Sequence, residues 1–360
     1  MLTRQKLEDF ILFLKKKQWE VFGTQKLNGA LTIDSIKNPE DLKLESGLPF
    51  FSFKRFFVPE KETLFEYKNQ NLKIDLLSKK DVAIFGINLL DLKAVLLYDQ
   101  VFEKDPYYQA RRRHILIVGH SLIPDLPQNI FEQTFKEDIL EHLSFDIFLA
   151  SLNNPTQPPL RLRGGEEGLE YAVFTGSPLG QKILNEFGYK DYINIQFSGP
   201  VREGKLDERM LKLKDKLENK HNQKIWDELG KRCIECGKCT IVCPTCFCFR
   251  IDDQAELGPA SGQKAEQNSS YGTRQRCWDS CYWQEFSEVA GGASPSAGGE
   301  GQGYKFLKNT AERIHFWYFH KFARLPDEFN FMGCVGCRRC AAVCPVGIDI
   351  AEVLKSIENS

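Results

Sequence analysis

The stretch CIECGKCTIVCPTCFCF, residues 233–249, packs six cysteines into seventeen positions, and no cysteine precedes it. All twelve cysteines lie between residues 233 and 344, at 233, 236, 239, 243, 246, 248, 277, 281, 334, 337, 340 and 344. Thiols so concentrated are metal ligands or redox centres rather than scattered core residues. One pattern occurs twice: Cys233-x2-Cys236-x2-Cys239-x3-Cys243-Pro244 returns as Cys334-x2-Cys337-x2-Cys340-x3-Cys344-Pro345. This is the spacing that holds [4Fe–4S] clusters. Two-residue gaps let a tight loop aim three thiolates at three corners of a cubane, and the fourth cysteine is carried to the neighbouring cluster. Proline after it, with no N–H and a fixed φ, suits the turn outward. Gly237 and Gly336 ease the tightest part of each loop. The expected ligand sets therefore cross: Cys233, Cys236, Cys239 and Cys344 for one cluster, and Cys334, Cys337, Cys340 and Cys243 for the other. Tetrahedral zinc also uses Cys-x2-Cys, but three cysteines in series followed by Cys-Pro, twice over, fits it poorly.

Cys246, Cys248, Cys277 and Cys281 remain. Cys246 and Cys248 would point the same way from an extended segment. Cys277 and Cys281, in RQRCWDSCYW, are spaced for one face of a helix. Two close pairs make a four-thiolate third site, and a third iron–sulfur cluster, buried free thiols and zinc all stay open for it. The aromatics nearby (Phe247, Phe249, Trp278, Tyr282, Trp283, Phe316, Trp317 and Phe319) read as a core that would also keep water from clusters.

The elements that must position these loops divide the 360 residues in two. Residues 1–204 read as an α+β or α/β domain. VAIFGIN (82–88) and HILIVGH (114–120) are buried strands flanking the helix LDLKAVLLYDQVF (90–102). FDIFLASL (145–152) and EYAVFTG (170–176) are further strands, and a helix follows from Pro178 to Phe187. That order predicts βαβ units and a partly parallel sheet. No Gly-x-Gly-x-x-Gly follows a strand; LRGGEEG and TGSPLG are poor substitutes, so no nucleotide site is expected. Residues 205–232 form a charged amphipathic linker helix, with Leu206, Met210, Leu213 and Leu217 as a stripe that Ile225 and Leu229 resume. Residues 233–360 are the cluster domain. Its two runs begin 101 residues apart, from Cys233 to Cys334, too far for a minimal two-cluster ferredoxin. A mainly α-helical ferredoxin-like domain is expected instead, with a polar, Gly/Ser-rich insertion over 254–303.

Composition narrows the class. The chain is 42% hydrophobic and 27% charged with a formal net charge of −1, which argues against a dedicated nucleic-acid or membrane-surface binder. Arg111-Arg112-Arg113 is read as a solvated face. There is no signal-peptide h-region and no membrane span, so a cytoplasmic location is expected.

These motifs resemble a known family. CIECGKCTIVCPTCFCF, RCWDSC, EVAGG, FWYFHKF and CVGCRRCAAVCPVGIDI are similar to the beta (iron–sulfur) subunit of cytosolic sulfhydrogenases, nickel–iron hydrogenases that also reduce sulfur. The A subunit of anaerobic sulfite reductase is a relative. SFKRFFVPEKETLFEY (52–67), AIFGINLLDLKA (83–94) and DPYYQARRRHILIVG (105–119) extend the resemblance into the first domain. It implies an electron-transfer subunit, not catalytic alone. Single electrons would pass through two or three [4Fe–4S] clusters between a catalytic subunit of nickel–iron hydrogenase type and an FAD- and NAD(P)-binding flavoprotein. It supports the eight paired cysteines together with Cys246, Cys248 and Cys281. Cys277 matches no family position, which makes His320 of FHKF the substitute as fourth ligand of a third cluster. Leu89-Leu90-Asp91 stands where the family usually has Pro-Cys-Asp. The alternatives are a subunit of an anaerobic sulfite reductase or another flavin-linked reductase, an iron–sulfur regulatory protein, and a zinc-stabilised interaction module.

Overall fold

The computed structural model describes residues 1–45, 47–68, 71–74, 80–120, 139–151, 170–200, 208–219, 223–256, 271–289 and 304–359. It divides into two units: residues 1–57, 79–203 and 329–337 form the first, and 58–78, 204–328 and 338–360 the second. This departs from the contiguous division expected from composition, because a segment near residue 60 belongs with the C-terminal unit and another near residue 333 with the N-terminal one.

The first unit is an α/β sheet unit. Its strands are β1 (Leu2–Thr3), β2 (Glu20–Leu27), β3 (Ala30–Ser35), β6 (Val82–Ile87), β7 (Ile115–His120), β8 (Ile147–Ser151), β9 (Glu170–Thr175) and β10 (Tyr192–Asn194). β4 (Lys61–Lys68) and β5 (Asn71–Lys73) lie in the second unit. The order is β1-β9-β8-β7-β6-β2-β3, with β10 on β9. β2, β6, β7 and β8 are parallel neighbours, while β3, β9 and β1 run antiparallel to theirs. The central strands are near-continuous apolar runs because helices cover both faces of such a sheet. The helices are α1 (Arg4–Lys16), α2 (Lys54–Phe57), α3 (Leu89–Val101), α4 (Pro106–Arg112) and α5 (Pro178–Phe187). Thr3 caps α1, which buries Leu7, Phe10, Ile11 and Leu14. In TGSPLG, Ser177 caps α5 and Pro178 opens it; a side chain on Gly180 would meet the Asp146 carbonyl at 2.0 Å. That glycine serves close packing. LRGGEEG lies outside the described residues.

Of the arginine run expected as a solvated face, Arg113 is exposed but its two neighbours are not. Arg111 is buried and donates to the Phe57 carbonyl at 2.6 Å, and Arg112 pairs with Asp99 at 3.3 Å. A carbonyl and a carboxylate satisfy the two guanidinium groups that turn inward.

The second unit joins helices to a sheet. The expected linker helix is two helices, α6 (Glu208–Glu218) and α7 (Gln223–Arg232). Leu213, Leu217 and Leu229 are buried as the stripe requires, and Leu206 lies outside the described residues. Then come α8 (Lys238–Val242), α9 (Thr310–Phe319), a π-helical turn (His320–Arg324), α10 (Leu325–Phe329), α11 (Arg339–Ala342) and α12 (Ile350–Glu358). α7 and α6 pack on α9, α6 also on the π turn and α12, and α8 on α11. The sheet was not expected in a mainly helical domain. β11 (Phe249–Glu256) and β12 (Tyr271–Trp278) form an antiparallel pair, continued by β4 and β5 in the order β11-β12-β4-β5. The Trp278 indole donates to the Val58 carbonyl at 2.9 Å, and buried Arg276 pairs with Glu62 at 2.6 Å. The polar insertion thus begins inside β11; residues 257–270 and 290–303, including all of GGASPSAGGEGQG, lie outside the described residues.

Candidate metal centre

The first cysteine loop leaves α7 at Arg232 and re-enters helix at Lys238. Between them Glu235 and Gly237 take left-handed backbone, φ 57° and 70°. This reverses the chain tightly enough for the Glu235 N–H to point back at Cys233 Sγ, 3.4 Å away. Gly237 is needed twice over: its φ suits glycine, and a Cβ there would stand 2.7 Å from Trp283 Nε1 and 2.9 Å from Ser280 Oγ. Glu235 has no such freedom, and left-handed backbone costs an ordinary residue about 1–2 kcal/mol. Its carboxylate is held in place by the Arg313 guanidinium and the Thr310 hydroxyl. The second loop repeats the trace with Gly336 and Arg338 at φ 72° and 56°, and the Gly336 N–H faces Cys334 Sγ at 3.4 Å. Arg338 is tied to Asp349.

Cys233, Cys236, Cys239, Cys340 and Cys344 line one pocket, whose other walls are Tyr282, Ile314, Trp317, Tyr318, Ile348 and Ile350 with neighbouring loop residues. Cys344 reaches it from the second run. Arg232, at the end of α7, donates to the carbonyls of Val346 and Gly347 at 3.3 and 3.2 Å, and so fastens the Cys344-Pro345 turn beside the first loop. The Ile348 N–H donates to Cys344 Sγ at 3.2 Å. Burial pushes the Cys233 thiol up, and burial together with neighbouring thiolates does the same to Cys239. Gathered thiolates in an apolar pocket lack a countercharge, which a bound metal centre supplies. These cysteines, with Cys236 on the exposed side, backbone N–H donors to sulfur and aromatic walls form a donor set suited to an iron–sulfur cluster. Among the described residues no three His, Cys, Asp or Glu side chains converge closely enough for a single ion.

Cys243 follows α8 and is buried. Its thiol is held well below the usual range by a hydrogen bond from Cys246, with the Lys321 ammonium and the Thr245 hydroxyl also beside it. Cys248 and Cys281 are hydrogen-bonded to each other, and Cys246 is close enough to Cys281 to raise its thiol further. Three of the four remaining cysteines are therefore neighbours. Cys277 is not among them. It lies in β12 opposite Arg250, hydrogen-bonded to Asp252, and Cys281 follows in a turn. The helix expected over 277–281 is a strand end and a turn, and the i, i+4 spacing gives no shared face. His320 opens the π turn with its ring 5.9 Å from those of Phe247 and Phe316. Burial, with the charges of Lys321 and Arg324, pushes its imidazole down to about 4.

Sequence reasoning missed Arg232, Arg313, Lys321 and Asp349, which hold or face the cysteine loops. Arg232 lies 114 residues from Val346, Arg313 lies 78 from Glu235 and Lys321 lies 78 from Cys243, and none of the four residues belongs to a motif of its own.

Residues 232–348 match a family model described as a 4Fe-4S dicluster domain. Sulfhydrogenase 2 subunit beta of Pyrococcus furiosus is 28% identical over 351 residues, covering 96% of this chain and 94% of that protein. No solved structure matches the chain. No helix among the described residues is long and apolar enough to cross a membrane. Residues 232–348 are thus similar to a 4Fe–4S dicluster domain, and the chain is similar along nearly its whole length to a sulfhydrogenase beta subunit.

Proposed function

We propose that this chain is the iron–sulfur electron-transfer subunit of an oxidoreductase complex. The observation that carries the reading is the pocket lined by Cys233, Cys236, Cys239 and Cys344, from two distant runs, with Cys340 beside them and aromatic side chains in its walls. These four would hold the first [4Fe–4S] cluster. The second set, Cys334, Cys337, Cys340 and Cys243, rests on the repeated spacing. Cys246, Cys248 and Cys281 would supply three ligands of a third cluster, with His320 as the fourth in preference to Cys277, which is engaged with Asp252. When bound, such clusters accept and release single electrons. The protein's part is to fix their spacing, donate N–H groups to sulfur and exclude water. The similarity to a sulfhydrogenase beta subunit favours a catalytic sulfhydrogenase partner; its nickel–iron type and a flavoprotein on the other side are what the family resemblance implies. An anaerobic sulfite reductase is the second reading for the parent complex.

Anaerobic purification followed by iron, sulfide and EPR measurements tests this. About 8 iron and 8 sulfide per chain are expected for two clusters and about 12 of each for three. Cys236→Ala should lose the first cluster's signal, and His320→Ala that of the third. A colourless protein carrying zinc in place of iron would overturn the reading.

A further inference from the structure

α9 and the π turn after it present one face to the cysteine loops. Arg313, Trp317 and Lys321 stand four residues apart on it. Arg313 holds Glu235 of the first loop, and Trp317 walls the pocket. Lys321 is 2% exposed. Its Nζ lies 3.4 Å from Cys243 Sγ and 2.9 Å from Thr245 Oγ1, and 5.2 Å above the Trp317 ring. The Thr245 hydroxyl in turn lies 3.2 Å from Cys243 Sγ. An ammonium removed from water, seated on an indole face and aimed at a ligand sulfur is a costly arrangement for a merely structural lysine. π turns recur where a helix is bent to serve a site, and this one turns Lys321 inward.

We propose that Lys321 is a fixed countercharge for the relay, a positioning residue whose ammonium raises the reduction potential of the cluster that Cys243 ligates. The proposal rests on the cluster reading above. Reducing a [4Fe–4S] centre adds one electron and no proton, so the reduced state carries one more negative charge. A buried cation at a ligand sulfur favours that state, and so does an N–H···S hydrogen bond. Among the described residues, the sulfurs of the first ligand set are met by backbone donors, from Glu235 to Cys233 and from Ile348 to Cys344. Cys243, assigned to the second set, has a lysine ammonium beside it instead.

The test is an EPR-monitored redox titration of the anaerobically purified chain, with iron and sulfide assayed on every sample. In Lys321→Met the Cys243 cluster should titrate lower, with at least a tenfold drop in its reduced-to-oxidised ratio at the wild-type midpoint, equivalent to about 59 mV for a one-electron couple. The first-loop cluster should move far less, and Lys321→Arg should restore most of the shift. An iron-replete Lys321→Met with unchanged midpoints would overturn the proposal. Should that variant fail to load iron, Lys321→Gln decides, since it keeps an N–H donor without the charge: a lowered midpoint supports the countercharge and an unmoved one removes it. Absence of iron from the wild type would sink the cluster reading itself, whereas full clusters with unmoved potentials would sink only the role of Lys321.

Discussion

In the first cysteine loop the left-handed residues are Glu235 and Gly237; in the second they are Gly336 and Arg338. The same two backbone positions are required in both, and glycine fills a different one in each. At each remaining position a charged residue takes the strained conformation and is anchored, Glu235 by Arg313 and Arg338 by Asp349. A cluster loop therefore needs a backbone shape rather than a glycine at a set place, and an ion pair can hold that shape where glycine is absent. The loops also differ in exposure. Ile234 and Cys236 face solvent in the first, with Ile234 60% exposed, while Cys334 and Cys337 are buried in the second. Solvent access and local charge both tune cluster potentials, so on the proposed cluster reading two runs of identical spacing would provide unequal stations for an electron.

The most damaging way to break this comparison is Glu235→Ala. The strain at residue 235 would stay while the Arg313 guanidinium, 3% exposed, loses its carboxylate. Stranding a buried charge costs on the order of 3 kcal/mol. The unfolding midpoint of the anaerobic holoprotein should fall, and the first cluster should be lost before the second. The same clasp sets an acid limit. The hydrogen bonds from Thr310 and Arg313 hold the Glu235 carboxyl below its ordinary value of 4.5 despite burial. A depressed carboxyl stabilises the fold fully above that ordinary value, and its contribution is lost as pH falls through the lower folded value. Wild type and Glu235→Gln should therefore differ in stability at neutral pH and converge in acid. A difference that persisted unchanged however far the pH fell below 4.5 would show that the carboxylate charge is irrelevant to the loop.

Next in size is Gly237→Ala. It adds both left-handed strain and the contact with Trp283 Nε1 at 2.7 Å, together about 2 kcal/mol. Iron content should drop by about four per chain if the loop cannot absorb the shift. Adding Trp283→Phe should recover part of the stability by removing the nearest atom. No recovery would mean that φ alone makes Gly237 necessary.

Legibility in the sequence followed the range over which each feature acts. The cysteine runs could be read because ligand spacing is local, and β6, β7, β8 and α5 because a buried apolar run or a cap-to-glycine pattern is local as well. The second sheet could not. β4, KETLFEYK, and β12, YGTRQRCW, are charged strands that pair across more than two hundred residues, Cys277 with Lys61 among them. Cys277 and Cys281 satisfied a helical spacing that a strand followed by a turn satisfies equally. The Glu235–Arg313 clasp joins residues 78 apart, and nothing near Glu235 announces it.

Arg338→Gly is the smallest effect and the sharpest check on the comparison, because it makes the second loop's backbone freer while removing its clasp. Relief of left-handed strain is worth about 1–2 kcal/mol, offset by glycine's greater entropy in the unfolded chain, about 0.5–1 kcal/mol. The ion pair it removes is about one-fifth exposed on both sides, where such pairs contribute up to about 1 kcal/mol. The terms nearly cancel, so the unfolding midpoint and iron content should stay within error of wild type. Arg338→Ala retains the strain and loses the pair, so it should be the less stable of the two. If the alanine variant proved as stable as the glycine one, left-handed backbone at the fifth position of the run would be cost-free, and the ion pairs at both loops would need another reason to exist.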